Sequence, residues 1–185
     1  MRLKDYQESK GTSMVAFTIH NIGPFMSKLF SSDCFDSFLL EEAVIRMAVT
    51  YSIDGHLNKD FGGSDASDDE SDPEHRFFTL QPWSKVRPIC REMIKGKQAP
   101  SLLKVTLQLK PEFIARTLEK APDLQPGSLE AVTALALNIR LDAGGLHLTT
   151  GVATKTFLLD KSPDRVWDLT MERFLAARGF DFVKE

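Results

Sequence analysis

Cysteine is nearly absent from this chain of 185 residues, which contains only Cys34 and Cys90. The two cysteines lie far apart in apolar segments, so we expect two reduced, buried thiols rather than a disulfide. This favours a reducing, cytoplasmic location. The polar stretch 1–13 lacks the apolar core of a secretory signal. We expect it to be a flexible tail, with Met1 and Met14 both open as the true start.

Long hydrophobic runs are also missing. No stretch of about 18 apolar residues occurs, which argues against a membrane-spanning helix and gives no reason to expect a membrane partner. The net charge of −3 is too small to indicate a nucleic-acid or membrane-surface protein from whole-chain charge. With 42% hydrophobic residues, the chain is nonetheless long enough to bury a sizeable core.

Familiar catalytic and metal-binding patterns are absent as well. The four histidines are scattered, and no pair has the spacing of three or four residues that places two ligands on one helix face. The glycine pairs at 62–63 and 144–145 lack the strand-loop-helix frame and the lysine of a phosphate-binding loop. No serine lies in a nucleophile elbow. The sequence therefore predicts no catalytic residue, no metal and no cofactor.

The clearest signal that is present is a β-hairpin over residues 131–159. Alternating apolar residues lead into the turn Asp142-Ala143-Gly144-Gly145 and out again. Because a hairpin joins antiparallel neighbours, the parallel-sheet nucleotide-binding folds become less favoured. After Gly151 the apolar phase shifts towards Phe157 and Leu159, which predicts a β-bulge at that glycine and burial of both side chains.

The remaining elements are short strands and helices. Alternating apolar residues predict strands near residues 15–20, 35–40, 45–53 and 103–109. Apolar residues at helical spacing predict helices near residues 24–30, 83–94, 111–121 and 163–178, the last one capped by Ser162. These elements predict an α+β fold, with a largely antiparallel sheet and three to four helices packed against it.

The domain organisation follows from the order of these elements. We expect a single domain over residues 14–179 and a C-terminal tail at 180–185. The halves 14–96 and 101–179 show the same element order, with helices and long strands offset by 87 and 88 residues. This suggests an internal duplication of a β-α-β-β unit, and two ordinary segments with coincidental spacing are the alternative. The order offers only a weak topological analogy to sliding-clamp domains.

Opposite charges cluster in adjacent segments of the chain. Residues 60–74 contain seven carboxylates and one large apolar residue, which predicts a mobile acidic loop over residues 60–76. From residue 83 to residue 110, seven lysines and arginines accompany one acid, so the local net charge is +6. Such side chains neutralise phosphates without reading sequence. The candidate binding residues of this basic segment are Lys85, Arg87, Arg91, Lys95, Lys97 and Lys104.

Three functional hypotheses follow. The first is a non-enzymatic binding module whose basic segment contacts an anionic partner such as nucleic acid, against the plain alternative of a solvated charged surface. The second is a small-molecule enzyme or ligand-binding domain with a pocket at the strand ends, formed by Asp54, His56 and Arg140. The third is a self-associating protein, a homo-oligomer that uses a sheet edge or an apolar patch.

Several short motifs resemble a family of uncharacterised bacterial proteins, found mainly among clostridia. The motifs are Ile53-Asp54-Gly55-His56-Leu57, Ile94-Lys95-Gly96-Lys97, Leu137-Asn138-Ile139-Arg140, and Thr150-Gly151 leading to Lys155-Thr156-Phe157. The likeness covers most of the chain from Met14 to about Gly179. It implies a bacterial, soluble, intracellular protein. It carries no known activity, so it transfers no catalytic residue to this chain.

Overall fold

The structure, a computed structural model, describes residues 15–58, 79–96 and 98–185. The predicted tail 1–13, the predicted acidic loop 60–76 and Lys97 lie outside the described residues. The elements in chain order are β1 (Ala16–Ile19), α1 (Ile22–Ser31), β2 (Phe38–Arg46), β3 (Thr50–Asp54), β4 (Gln81–Pro82), α2 (Trp83–Ile94), β5 (Leu102–Leu109), α3 (Pro111–Leu118), α4 (Ser128–Ala131), β6 (Val132–Asp142), β7 (Gly145–Thr154), α5 (Ser162–Ala177) and β8 (Phe182–Lys184).

These strands form one antiparallel sheet. Its order is β3-β2-β5-β6-β7-β1-β8, and β4 pairs with β2 beside this path. Every pairing between the described strands is antiparallel. Of the five helices within the described residues, four have eight or more residues, and α4 is a single turn. The prediction of an α+β fold with a largely antiparallel sheet is therefore confirmed.

The sheet has one buried face and one open face. In β5, Leu103, Val105 and Leu107 are buried, whereas Lys104 is exposed and Thr106 is half-buried. Because successive strand residues point to opposite faces, the odd-numbered residues of β5 join the helices in one hydrophobic core. The other side, which we call the open face, carries Lys104, Thr106, Asn138, Arg140, His147 and Thr149.

The predicted hairpin consists of β6 and β7, but its irregularity lies elsewhere than predicted. Gly151 pairs regularly with Ala136, and the register shifts instead between Val132 and Ala134. The predicted bulge at Gly151 and the predicted burial of the following apolar residues are wrong. The reason is that β7 ends at Thr154, so the alternation rule no longer applies beyond it. Phe157 and Leu159 are each 85% exposed.

The predicted strand over residues 45–53 is in fact a hairpin. Strand β2 ends at Arg46 and β3 begins at Thr50, and the Met47 N–H donates to the carbonyl oxygen of Val49 in the turn between them. The sequence pattern hides this turn because Met47 and Val49 are apolar and continue the alternation. In the structure Val49 is exposed.

Residues 180–185 form structure where a tail was predicted. Strand β8 pairs with β1, and Phe180 before it is buried. The Phe182 ring meets the Phe17 ring edge-on, with centroids 5.6 Å apart. A strand of three residues is too short to show an alternating pattern, so the sequence gives no sign of it.

The two halves of the chain repeat the order of elements but not the pairing of strands. The N-terminal half runs β1-α1-β2-β3-α2 around the short β4, and the C-terminal half runs β5-α3-β6-β7-α5 around the single-turn α4. In the second half β5 lies beside β6, whereas in the first half β1 lies beside β7 and β8, away from β2. Internal duplication stays a hypothesis.

Candidate functional sites

The structure divides the basic segment between the two sides of the sheet. Its helical part comprises Lys85, Arg87, Arg91 and Lys95, the last directly after α2. Trp83 and Cys90 of this helix share the core with Leu103. Lys104 follows Leu103 on β5 and therefore faces the other way, onto the open face. The predicted cations do not form one continuous surface, and Lys97 lies outside the described residues.

The cations of α2 have different surroundings. Arg87 is half-buried and forms an ion pair with Asp36, which gives it a structural role. Lys95 Nζ lies 3.4 Å from Glu92 Oε2 in an exposed pair, which contributes little to stability. Helical spacing places the exposed residues on one arc. We define the exposed face of α2 by Lys85, Ile89, Arg91 and Lys95.

Asp54 and His56 come together at the end of β3. Asp54 Oδ1 accepts a hydrogen bond from the His56 N–H at 2.9 Å and lies 2.6 Å from Nδ1 of the imidazole. The backbone and side-chain hydrogen bonds from His56 hold the pKa of Asp54 below its usual value. A carboxylate-imidazole pair can serve in acid-base chemistry. Both side chains are more than 60% exposed, so water competes for these contacts.

Gly55 fixes the backbone between these two residues. A Cβ at this position would lie 1.9 Å from the carbonyl oxygen of Leu40, because the chain crosses closely over β2 here. The Gly55 N–H donates to Glu41 O, and its carbonyl accepts from Gln81 N–H. The pair beside it borders a cavity of about 320 Å³ that is lined by Glu41, Glu42, Ser52, Ile53, Asp54 and His56.

Arg140 does not join this recess. It lies on β6, three strands away from β3 and hence roughly 14 Å across the sheet. Its Nε donates to Asp142 Oδ2 at 2.7 Å. On the open face Arg140 is opposite Lys104 on one side and His147 on the other. Two residues that the sequence assigned to separate sites are thus neighbours in the sheet.

A cleft between α3 and α5 has no counterpart in the predicted sites. We call it the α3–α5 cleft, and its volume is about 420 Å³. Its apolar lining consists of Phe38, Leu109, Phe113, Trp167, Met171 and Phe174. Its polar lining consists of Ser37, Arg116, Thr117, Lys120 and Thr170. Arg116 and Lys120 are exposed. None of these described lining residues is acidic.

Two anchors hold α5 at its distance from α3. The Trp167 indole N–H donates to the carbonyl oxygen of Ala136, which ties α5 to the sheet. At the start of the helix, Asp160 accepts hydrogen bonds from the Ser128 hydroxyl at 2.6 Å and from the Gln125 N–H at 3.2 Å. These contacts join α5 to the segment that follows α3.

Asp160, rather than the predicted Ser162, accepts hydrogen bonds at the start of α5. Ser162 is the first helical residue rather than the cap that the sequence predicted, and both its N–H and its hydroxyl donate to Asp160. Burial alone would raise the pKa of Asp160. The hydrogen bonds from Ser128, Ser162 and Gln125 outweigh this and lower the pKa to about 2.

Two further carboxylates of α5 are buried, one turn apart. Burial raises the pKa of Asp164 and of Asp168. Asp168 accepts a hydrogen bond from the Thr150 hydroxyl of β7, which gives it a place in the contact between helix and sheet. Among the residues that the structure describes, no group of three or more potential ligands could hold a metal ion.

The two cysteines are buried and unpaired, so the prediction of two buried thiols is confirmed. Burial raises the pKa of both thiols, that of Cys90 to about 11. The thiolate is the nucleophilic form, so neither residue is suited to nucleophilic catalysis at neutral pH.

The structure therefore defines an α+β protein with helices on one side of an antiparallel sheet, a cationic helix face and an amphipathic cleft. A family model, described as a family of unknown function (DUF5721), matches residues 28–183, and the chain belongs to this family. The resemblance to an uncharacterised family is confirmed, and the bacterial origin stays a prediction. No curated protein and no solved structure matches the chain. No helix within the described part of the chain has the length and apolar character needed to cross a membrane.

Proposed function

We propose that the protein is a non-enzymatic binding module that contacts an anionic partner, such as nucleic acid, through the exposed face of α2. One observation carries this proposal. Lys85 and Arg91 are exposed on α2, Lys95 is exposed directly after it, and Glu92, which pairs with Lys95, is the single acid of α2. Because phosphates are neutralised one cation at a time, such a face binds a polyanion without a pocket.

The surroundings of this face support an extended partner rather than a small one. The inward residues Trp83, Val86 and Cys90 are buried, so α2 is firmly seated and its outer side is convex. Ile89, which is 55% exposed, lies on the same side and offers an apolar contact next to the cations. Lys104 and Arg140 belong to the open face and are not part of this site.

The test is oligonucleotide binding across a salt series, measured by fluorescence anisotropy with single- and double-stranded probes. We expect saturable binding that weakens with salt. The Lys85→Met/Arg91→Met variant should reduce the slope of log K against log salt by about 2 for duplex DNA. The matched control, Arg116→Met/Lys120→Met, removes the same charge from the end of α3 and the turn after it, and should leave the slope unchanged. Absence of binding at low salt would remove the proposal.

The contact between Asp54 and His56 favours a second candidate, a small-ligand site at the strand ends. Glu41 and Glu42 border the same recess, so its carboxylates suit a cationic ligand. Spermidine is a suitable probe for calorimetry. Binding that is lost in Glu42→Gln and kept in Arg140→Met would support this site. No heat of binding in the wild-type protein would contradict it.

We also propose that two copies of the protein associate through a sheet edge and that the protein is cytoplasmic. The sheet ends in the edge strands β3 and β8, and Tyr51 on β3 is exposed, so an edge contact between two copies is our proposed route to a homo-oligomer. Sedimentation at two concentrations tests this, and a monomer at both contradicts it. Two buried, unpaired thiols support a reducing cytoplasm as the location.

A further inference from the structure

We infer that the α3–α5 cleft binds an amphipathic carboxylate, with its hydrocarbon body against the aromatic floor and its carboxylate at Arg116 and Lys120. The ligand is a small molecule, and the site lies apart from the exposed face of α2. The inference therefore does not depend on the proposed contact with nucleic acid.

The apolar lining of the cleft suits a ligand with an apolar body. Phe38, Trp167 and Met171 are almost completely buried by the protein itself, and Phe113 and Phe174 on the walls are half-buried. The Trp167 N–H is already donated to Ala136 O, so the indole offers its ring rather than a polar group. A hydrocarbon that fills this space leaves water itself and covers the exposed parts of Phe113 and Phe174.

The charged groups of the cleft suit a ligand that carries an anionic group at one end. The charged groups in its lining are the guanidinium of Arg116, in the last turn of α3, and the ammonium of Lys120, two residues after the end of that helix. Both side chains are exposed, so they lie at the mouth rather than on the floor. The Thr170 hydroxyl on the opposite wall already donates to Val166 O, so the donors that remain for a carboxylate are those at the mouth. A carboxylate between two cations accepts charge-assisted hydrogen bonds.

The size and rigidity of the cleft favour a small molecule over a protein segment. Its volume of about 420 Å³ lies at the lower end of the range for small-molecule pockets, roughly 300–1,000 Å³. Helix α5 is held on one side by the Trp167 contact with the sheet and at its start by Asp160. A cleft whose walls are fixed in the free protein loses little conformational freedom on binding.

Calorimetry with decanoate, below the concentration at which it forms micelles, tests the inference on the full-length chain. We expect saturable binding of one decanoate per chain. Decanol, which has the same chain without the charge, should bind at least about tenfold more weakly. Arg116→Met/Lys120→Met replaces two exposed side chains and should preserve the fold, which circular dichroism checks. This variant should weaken decanoate binding about tenfold or more and leave decanol binding unchanged.

A second variant and a matched control assign the effect to the cleft. In Trp83→Phe, Trp167 is the sole tryptophan, and decanoate should change its fluorescence along the same binding curve. Lys85→Met/Arg91→Met removes two cations from α2 and should leave decanoate binding unchanged while it alters oligonucleotide binding. The inference is overturned if decanoate does not bind, if decanol binds equally well, or if the α2 variant weakens decanoate as much as the α3 variant does.

Discussion

The two helix pairs that cover the sheet differ in what their tryptophan side chains join. Between α1 and α2, the Trp83 indole N–H donates to the carbonyl oxygen of Leu29 at 3.0 Å, and its ring packs on Phe30. Trp83 thus joins helix to helix. Trp167 of α5 donates to Ala136 of the sheet instead, so this indole joins helix to sheet rather than helix to helix. The exposed face of α2 lies on the outside of the first pair, and the α3–α5 cleft lies beside the second.

This difference is the reason that we propose a different kind of anion for each half. An exposed row of cations on a convex helix is suited to a chain of phosphates, because every contact adds separately. Cations at the mouth of an apolar cleft are suited to a single charge on a hydrocarbon body, because that body leaves water when it enters the cleft. Under the two proposals, similar charged side chains bind different ligands because the packing beneath them differs.

The largest effect is expected from removing the contact between α1 and α2. Trp83→Ala removes a fully buried side chain and should lower the free energy of unfolding by roughly 3–5 kcal/mol. Trp83→Phe keeps the ring volume in part but leaves Leu29 O without its donor, so it should cost roughly 1–3 kcal/mol. Urea denaturation followed by circular dichroism measures both. A loss below about 1 kcal/mol for Trp83→Ala would show that this residue does not hold α1 and α2 together.

A smaller effect is expected from substituting Asp160, which joins the start of α5 to the segment after α3. Asp160→Ala removes the acceptor for Ser128, Gln125 and Ser162, and should cost roughly 1–3 kcal/mol of stability. Because α5 then loses its fixed distance from α3, decanoate binding should weaken as well. Asp160→Asn, which keeps one acceptor oxygen, is the matched control and should lose less on both counts. Equal decanoate affinity in all three proteins would separate the anchor from the cleft.

The pH dependence of Asp160 has a definite sign. Its pKa is about 2 in the folded protein against an ordinary value of 3.8, so the folded state favours the ionised carboxylate. The stability that it contributes is complete above pH 3.8 and is lost as the pH falls through about 2. Denaturation between pH 5 and pH 2 should therefore show a decline in the wild type that is reduced in Asp160→Ala. An unchanged decline in the variant would assign it to other carboxylates.

Asp168, two turns further along α5, should show the opposite trend. Burial raises its pKa, so the folded state favours the protonated carboxyl group. Its favourable contribution is present below the ordinary pKa of an aspartate and is lost as the pH rises through the raised value. Asp168→Asn keeps an acceptor for the Thr150 hydroxyl and should raise the free energy of unfolding at pH 7. A variant that is less stable than the wild type at pH 7 would contradict this reasoning.

The smallest effect is expected on the open face. Lys104 lies on the opposite side of the sheet from α2, so Lys104→Met should change oligonucleotide affinity by less than about twofold at moderate salt. Lys85→Met alone, with the same change of charge, should have the larger effect. A loss for Lys104→Met that matches the loss for Lys85→Met would mean that the partner reaches both faces, and the separation of the two surfaces would fail.

Local patterns in the sequence were sufficient for elements that repeat a clear period. The alternation from Leu135 to Leu141 and the glycine turn after it predict the β6-β7 hairpin, and helical spacing predicts α2 and α5. The pattern failed where local and global signals disagree. Apolar Val49 continues an alternation through a turn, and Phe157 continues one beyond the end of a strand.

The functional sites were harder to predict because they depend on which elements become neighbours. Asp54 and His56 are separated by one residue in the chain, so the sequence could predict their contact. Arg140 and Lys104 face each other only because β5 pairs with β6 in this register. The spacing of Arg116 and Lys120 is visible in the sequence, but the cleft beside them depends on how α5 packs on the sheet. No local pattern encodes that packing.

The central claim is that the two helix pairs carry separate anion sites. Amide chemical-shift mapping by NMR tests it most directly, with decanoate and then an oligonucleotide added to the same isotope-labelled full-length protein. The account predicts that decanoate shifts the amides of α3 and α5, that the oligonucleotide shifts those of α2, and that neither ligand displaces the other. One shared set of shifted amides, or displacement of decanoate by the oligonucleotide, would contradict it.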